Sequence, residues 1–335
     1  MKNYWKQSIS ILLCSLSVIC YANNTVENQQ EKTILSSIYE NVILKDSQQA
    51  KQSCQRFLSD LENNKDQTLY QQDFKNLVLN WKKVETNYIA PDMDSDMQDI
   101  PVYLDVFHLG NENIPESVLR TLKQEQPANI ALFKNAYKTF SALEAVLYTK
   151  GQWSDRRYQF TKEIVSSMCD YFNEIDAFYT THKQDFVADA NNSIGMIINR
   201  LTAQSFKLKD WRLGDPAGLT SKYKHNPDPM RGEYPLSGLS IEAGKAIIQA
   251  QLSLIGQQPY ANFATLLKAR KLEKAAQEAN NQLTQILNGL NQLKDFDAEK
   301  IKPIMLDLAH LHFTYYTTIL SQLPVEGKIL EADGD

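Results

Sequence analysis

Residues 128–149 read ANIALFKNAYKTFSALEAVLYT, and this stretch is the strongest clue to the fold. Its apolar side chains recur every three or four residues, a spacing that predicts an amphipathic helix. At about 100° per residue, the helical arc centred on Glu144 also contains these large apolar side chains: Phe133, Tyr137, Phe140, Leu147 and Tyr148. The sequence therefore predicts a helix that carries a carboxylate within its apolar face.

A carboxylate in an apolar face needs a partner or a raised pKa, because burying it alone costs several kcal/mol. Ser141 lies one turn before Glu144 and can reach it. Glu144 is then either a functional acid in a crevice or a structural acid that a backbone amide, a tyrosine or a lysine of another helix satisfies. A second acid, Glu85, also falls inside an apolar arc. It pairs with a cation across the bundle, lines the same crevice, or lies on a half-exposed flank.

The three-to-four spacing continues through most of the chain. It predicts helical segments over residues 34–61, 74–88, 154–179, 187–209, 239–256, 260–293 and 297–323. Ser154 is a good N-cap for the segment that follows it. Only 12 glycines and 11 prolines occur in 335 residues, and no long run alternates with period two. The chain is therefore predicted to be all-α.

Glycine and proline concentrate in one segment, because eight of them lie within residues 211–240. An irregular segment of this length between helical halves is either a linker or a functional surface. We predict two helical bundles, over about 30–209 and 239–324. The irregular segment 211–238 joins them, and a tail, 325–335, follows.

Composition excludes two classes of protein. With 43% hydrophobic and 22% charged residues, the chain is too apolar to be disordered. A net charge of −5 gives no reason to expect a nucleic-acid partner, whose phosphates favour a basic surface.

The first 22 residues have the pattern of a secretory signal peptide. Two lysines precede an apolar core over residues 9–19, and the Cys-Tyr-Ala sequence at 20–22 is a small-x-small cleavage site. We therefore expect a secreted, periplasmic protein. A lipoprotein anchored through Cys20 is disfavoured, because Ile19 stands where a small residue is wanted. No later apolar stretch is long enough for a membrane span.

Two cysteines, Cys54 and Cys169, remain after cleavage in an oxidising compartment. Each lies on the apolar stripe of a predicted helix. Either a disulfide joins the two helices, or both residues are buried free thiols, since cysteine is among the most buried residue types. The sequence leaves both alternatives open.

Residues 135–148 resemble the signature helix of the imelysin-like family, which carries G-x-H-x-x-E followed by an apolar run. In this register Glu144 matches the glutamate, Ser141 stands in place of the histidine, and Thr139 replaces the glycine. Further segments resemble the family in the same order: 81–88, 208–216 (LKDWRLGDP), 233–240 (EYPLSGLS), 323–327 and 333–335. The likeness covers about residues 30–335.

The resemblance implies a two-bundle, all-helical fold in which the signature helix faces the crevice between the halves. It also implies an envelope protein, often linked to iron acquisition, and a peptidase label that rests on the His/Glu pair as a metal site. Because serine cannot replace histidine as a neutral nitrogen ligand, this chain departs from the family where a metal would bind. Glu144 is then the only family-matched candidate for a metal ligand.

Other metal ligands are weakly indicated. His310 and His312 point about 200° apart on a helix, so they cannot chelate one ion together. Residues 92–96 begin like a calcium loop, but Met97 occupies the glycine position and Tyr103 the bidentate glutamate position. We interpret the loop as a solvated acidic segment, and the alternative is a weak site for a hard cation.

The segment 211–240 supplies the other candidate binding residues, namely Arg212, Asp215, Glu233, Ser237 and Ser240. Arg212 and Glu233 are placed to face the crevice beside Glu144, whereas the two serines can cap the helix that follows. Tyr223 and Tyr234, with neighbouring cations, are predicted to form a polar, aromatic lip.

The chain is therefore expected to be a non-catalytic periplasmic binding or accessory protein associated with iron or metal uptake. No catalytic residue is assigned, and iron or another divalent metal is the candidate cofactor. Two alternatives remain open, an envelope metallopeptidase and an envelope module that binds a polysaccharide or a protein.

Overall fold

A computed structural model of the chain describes residues 28–63 and 66–328. The predicted signal peptide, with Cys20, lies outside the described residues, as do the last seven residues of the predicted tail. Within the described ranges every regular element is a helix, so the all-α prediction is confirmed. No helix there is long and apolar enough to cross a membrane.

The first part of the described chain begins with α1, residues 28–38, which continues through a π-helical turn, Tyr39–Leu44, into α2. The helices that follow are α2 (Lys45–Asn63), α3 (Gln67–Thr86), α4 (Ala90–Met93), α5 (Ile100–Leu104), α6 (Ile114–Thr121), α7 (Ala128–Ala131), α8 (Phe140–Tyr148), α9 (Asp155–Thr181) and α10 (Lys183–Ala188).

The second part contains α11 (Ala190–Lys207), α12 (Ser240–Ile255), α13 (Phe263–Ala269), α14 (Glu273–Asn291) and α15 (Ala298–Phe313). A π-helical turn, Leu208–Gly214, extends α11, and another, Thr314–Ile319, extends α15. Between residues 214 and 240 the backbone is irregular except for one 3₁₀ turn, Pro229–Arg231.

Short polar side chains begin several of these helices. The side chain of Asp66 caps α3, and that of Asp189 caps α11. The predicted N-cap Ser154 is confirmed, because its Oγ accepts a hydrogen bond of 3.3 Å from the backbone N–H of Arg157 at the start of α9. These bonds satisfy N–H groups that have no partner inside the helix.

The long helices pack side by side around a continuous apolar core. Helix α3 packs against α2 and α12, and α2 also packs against α9. Helix α14 packs against α12 and α15, and α11 packs against α15. The buried apolar side chains form one cluster that extends from Ile34 to Leu323. The division into two bundles stays a prediction.

A disulfide between Cys54 and Cys169 links α2 to α9, with 5.5 Å between the two Cα atoms. Of the two alternatives left open by the sequence, the structure therefore has the bridge and not the free thiols. The bridge joins positions that are 115 residues apart in the chain.

Residues 128–149 do not form the single helix that the sequence predicts. The backbone is extended at Lys134 (ψ 140°) and Thr139 (ψ 174°), so the stretch divides into α7, a 3₁₀ turn and α8. Because of this break, Leu132 is buried whereas Phe133 is 71% exposed, and Phe133 does not share the face of Glu144. The packing that buries Leu132 therefore outweighed the local helical propensity of this stretch.

Contacts with Glu112 accompany this break. Its carboxylate accepts a hydrogen bond of 2.8 Å from the hydroxyl of Tyr137 and one of 2.9 Å from Lys134 Nζ. The link between α7 and α8 is therefore tied to the loop before α6, a long-range contact that helical periodicity does not reveal.

Candidate functional site

Helix α8 places Glu144 in the interior, where 1% of the residue is exposed. Its Oε1 accepts hydrogen bonds from the backbone N (2.9 Å) and the Oγ (2.6 Å) of Ser237. Burial raises the pKa of Glu144 to about 7, although both bonds favour the ionised form. The serine that binds Glu144 is thus Ser237 and not Ser141, because the irregular segment packs an N–H and a hydroxyl directly against α8.

Helix α3 contributes a fully buried ammonium group, that of Lys82. Its Nζ lies 2.6 Å from Glu233 Oε1, 2.7 Å from Glu85 Oε2 and 3.0 Å from Asp105 Oδ2. We call Glu85, Asp105 and Glu233 the carboxylate cage. Burial alone would lower the pKa of Lys82, but attraction to the three carboxylates outweighs it and raises that pKa above its ordinary value.

Arg212, from the π-helical turn after α11, is the second cation of the cage and is 4% exposed. Its Nε donates to Glu233 Oε2 at 2.7 Å, and its Nη2 donates to Glu85 Oε1 at 2.9 Å. Burial opposes the ionisation of Glu85, yet Arg212 and Lys82 lower its pKa to about 2. Of the three interpretations offered for Glu85, the structure agrees with the first, because Glu85 pairs with Arg212 from another helix.

Asp105 connects the cage to the neighbourhood of Glu144. Its Oδ2 accepts hydrogen bonds from the Tyr234 hydroxyl at 2.6 Å and from Trp81 Nε1 at 3.3 Å. Tyr234 has φ of 56°, a left-handed conformation that is unusual for a residue other than glycine. The turn therefore holds a costly conformation where it directs the phenol toward Asp105.

Asp215 lies beside the cage but has its own partners. Its Oδ2 is 3.0 Å from His108 Nε2, and its Oδ1 accepts a hydrogen bond of 2.5 Å from the Thr220 hydroxyl. The ring of His108 stacks on that of Trp211, with 4.6 Å between the ring centroids. The loop after α5 and the segment after α11 are thus joined at Asp215 as well as at the cage.

The remaining predicted site residues have structural contacts. Thr139, fully buried, donates from its Oγ1 to the carbonyl oxygen of Ala136 at 2.9 Å. Ser240 donates from its Oγ to the backbone carbonyl of Glu233. The prediction that Ser237 or Ser240 caps the following helix is wrong, because α12 has Leu239 as its N-cap and no side-chain cap.

The predicted lip of residues 211–240 is smaller than expected. Tyr234 is 3% exposed, because its ring points inward to Asp105 and packs edge-on against Phe74. Tyr223 remains in a cationic surface cluster, with the Arg231 guanidinium 4.2 Å and the Lys222 ammonium 5.5 Å from its ring.

The donor groups around Glu144 and Lys82 do not fit a transition-metal site. No group of three or more His, Cys, Asp or Glu side chains in the described ranges is arranged to hold a metal ion. The carboxylate cage is filled by Lys82 and Arg212, and Glu144 is bound by Ser237. Zinc and iron sites need nitrogen, sulfur or free carboxylate ligands, which this arrangement does not offer.

The acidic loop at 92–96 is not a calcium loop in the structure. The two carboxylate oxygens of Asp92 accept hydrogen bonds from Lys328 Nζ (2.8 Å) and Arg200 Nη2 (3.0 Å). The interpretation of a solvated segment is therefore wrong for Asp92, because its carboxylate is paired with two cations. Through these two bonds Asp92 connects Lys328 to helix α11.

Sequence reasoning missed Lys82, Asp105 and His108. Lys82 precedes Glu85 by three residues and lies next to the buried Trp81. Its position within the apolar arc of α3 was the signal that could have identified it as a buried site residue. Asp105 and His108 lie in a loop, and no periodicity marks loop residues that pack against a buried site.

Glu144 is expected to make stability depend on pH. Its pKa is about 7 in the folded protein against a usual value of 4.5, so its stabilising effect is complete below pH 4.5 and is lost as the pH rises through 7. Relative to Glu144→Gln, the wild-type free energy of unfolding should fall by about 3 kcal/mol between pH 4.5 and 7. Urea unfolding of both proteins across this range measures the difference.

The control is Glu299→Gln, since the Glu299 side chain is 81% exposed and its removal should leave the pH profile unchanged. A constant difference in stability between wild type and Glu144→Gln at all pH values would contradict the raised pKa.

The fold and the buried site define the class of protein to which the chain belongs, an all-helical protein whose buried acid Glu144 meets a glycine- and proline-rich segment. The family model for imelysin, Peptidase M75, matches residues 37–306. The chain therefore belongs to the imelysin family. No curated protein sequence matches it.

Two solved structures have the same fold. An imelysin-like protein from Psychrobacter arcticum superposes with a TM-score of 0.73 over 90% of this chain and 98% of its own, at 12% sequence identity. A putative iron-regulated protein A precursor from Parabacteroides distasonis superposes with a TM-score of 0.68 over 88% of this chain and 95% of its own, also at 12% identity.

Proposed function

We propose that this protein is a periplasmic binding or accessory protein of the imelysin family, that it serves iron or other metal uptake, and that it does not act as a peptidase. The observation that carries the non-catalytic role is the state of the signature acid. Ser141 stands where the family has histidine, and Glu144 accepts two hydrogen bonds from Ser237. A metallopeptidase needs an open metal position and an activated water, which these groups do not provide.

Two observations support an oxidising compartment outside the cytoplasm. Residues 1–22 have the pattern of a signal peptide. The disulfide between Cys54 and Cys169 is of the kind that persists in the periplasm and is rare in the cytosol. The link to iron rests on family resemblance and on the name of the Parabacteroides distasonis relative.

The peptidase part of the proposal is tested on the purified protein from residue 23 onward. We expect no cleavage of casein, an unstructured protein substrate, with zinc or iron present or with a chelator. The matched variants are Glu144→Gln and Glu299→Gln. Cleavage that a chelator stops and that Glu144→Gln abolishes, while Glu299→Gln retains it, would overturn the non-catalytic role.

The uptake part is tested in the native bacterium. Deletion of the gene should slow growth under iron limitation and leave growth in iron-replete medium unchanged, and the wild-type gene should restore it. Fractionation should recover the mature protein in the periplasm. Equal growth of the deletion strain in both media would contradict the link to iron.

A second candidate function is an envelope module that binds an acidic polysaccharide or protein. The surface cluster of Tyr223, Lys222 and Arg231 favours it, and the neighbouring Met230 is 59% exposed. Binding to alginate, an anionic polysaccharide, should then weaken in Arg231→Ala and Tyr223→Ala but not in Lys302→Ala, whose lysine lies on helix α15 and outside this cluster.

A further inference from the structure

The ammonium of Lys82 has the surroundings of a bound cation. An ammonium group has three N–H donors, and Lys82 directs them to three different carboxylates at 2.6, 2.7 and 3.0 Å. The residue is fully buried, so bulk solvent does not reach these donors. The three acids come from α3, from the loop after α5 and from the segment before α12, and converge on this one group.

Every oxygen of the carboxylate cage has a donor. Glu85 and Glu233 each use one oxygen for Lys82 and the other for Arg212. Asp105 Oδ2 accepts from Lys82, and its Oδ1 accepts from the backbone N–H of Phe107 at 3.0 Å. A metal ion would have to displace one of these donors to gain a ligand.

We infer that the carboxylate cage is a cation site whose permanent occupant is the chain's own Lys82, so that the wild-type protein takes no metal ion there, and that a hard divalent cation binds once the ammonium is removed. Without Lys82 the cage holds three carboxylates against one guanidinium. Ligands that are all oxygen suit hard cations such as calcium and manganese. Calcium binds oxygen at about 2.3–2.6 Å, so the cage needs to contract by only a few tenths of an ångström.

This inference goes beyond the proposed function and does not depend on it. The proposed function is contradicted by proteolytic activity or by normal growth of the deletion strain under iron limitation. The inference about the carboxylate cage is tested by metal binding alone. A protein that serves iron uptake through a partner can still have a cage filled by lysine.

The test compares wild type with Lys82→Ala, which removes the ammonium and opens the space along its stem. Binding of Mn²⁺ is measured by electron paramagnetic resonance and binding of Ca²⁺ by titration calorimetry. We expect wild type to bind neither ion stoichiometrically. Lys82→Ala should bind one equivalent at least about tenfold more tightly than any wild-type binding. The double variant Lys82→Ala/Glu233→Gln should lose this binding, and the control Lys302→Ala should behave as wild type.

Two results would overturn the inference. One is stoichiometric binding of Mn²⁺, Zn²⁺ or Fe²⁺ by wild type that Glu233→Gln abolishes. The other is a folded Lys82→Ala variant that binds no ion. If Lys82→Ala does not fold by itself, helical circular dichroism is followed with added Mn²⁺ or Ca²⁺. Recovery of helix that Lys82→Ala/Glu233→Gln does not share supports the cage, and no recovery with either ion contradicts it.

Discussion

Replacing Lys82 with methionine is expected to lower the free energy of unfolding by about 3–5 kcal/mol. Methionine keeps the length of the apolar stem, so most of the loss is electrostatic. Glu85, Asp105 and Glu233 would stay buried with only Arg212 to compensate three negative charges. Removal of one partner from a buried ionic group is costly because the others keep their desolvation penalty. Urea unfolding at pH 7 measures the change.

The matched control for Lys82→Met is Lys302→Met. Lys302 is 54% exposed and pairs with Glu299 on the surface of α15, so its replacement should change stability by less than about 0.5 kcal/mol. The double variant Lys82→Met/Asp105→Asn restores the charge balance and should be more stable than the sum of the single variants predicts. Additive losses would contradict electrostatic coupling within the cage.

Loss of the disulfide is the second large effect. Cys54→Ala/Cys169→Ala should be less stable than wild type by about 4 kcal/mol, since the bridge joins positions 115 residues apart and restricts the unfolded chain. Chemical unfolding of the oxidised wild type and of the double variant measures the difference. Reduced wild type is the internal control, because it should unfold close to the double variant. Equal unfolding midpoints for oxidised and reduced wild type would contradict this role.

The signature helix of this chain is bonded to the irregular segment that packs against it. In the family pattern, histidine and glutamate lie one turn apart on the signature helix. Here Ser141 makes no bond to Glu144 in the described part of the chain, and Ser237 from the facing segment takes the acid instead. Close by, Tyr234 and Lys82 both bind Asp105. Hydrogen bonds and ion pairs of the protein itself thus join α3, α8 and the segment before α12.

The local sequence pattern predicted which acids of this site are buried better than it predicted their bonding partners. The periodicity around Glu144 and Glu85 correctly indicated acids on buried faces. The same periodicity wrongly continued one helix from residue 128 to 149, because extended backbone at Lys134 and Thr139 lets Leu132 and not Phe133 enter the core. A single helical wheel does not include the packing that selects between neighbouring apolar residues.

The sequence pattern could not predict which residues bind the buried acids. Lys82 and Glu233 are 151 positions apart, and Ser237 is 93 positions from Glu144. Asp105 carries no periodic signal because it lies in a loop. Such pairs form only when helices from distant parts of the chain pack together.

The amino-acid sequence by itself determined that the chain is helical, where its irregular segment lies, and that Glu144 and Glu85 lie on inward helix faces, because these properties follow from spacing along a helix and from the scarcity of glycine and proline. Only the tertiary structure decided that Lys82 neutralises the carboxylate cage, that Ser237 binds Glu144, and that Cys54 reaches Cys169. The physical reason is distance in the chain, since burial identifies a residue that needs a partner but only three-dimensional packing supplies that partner.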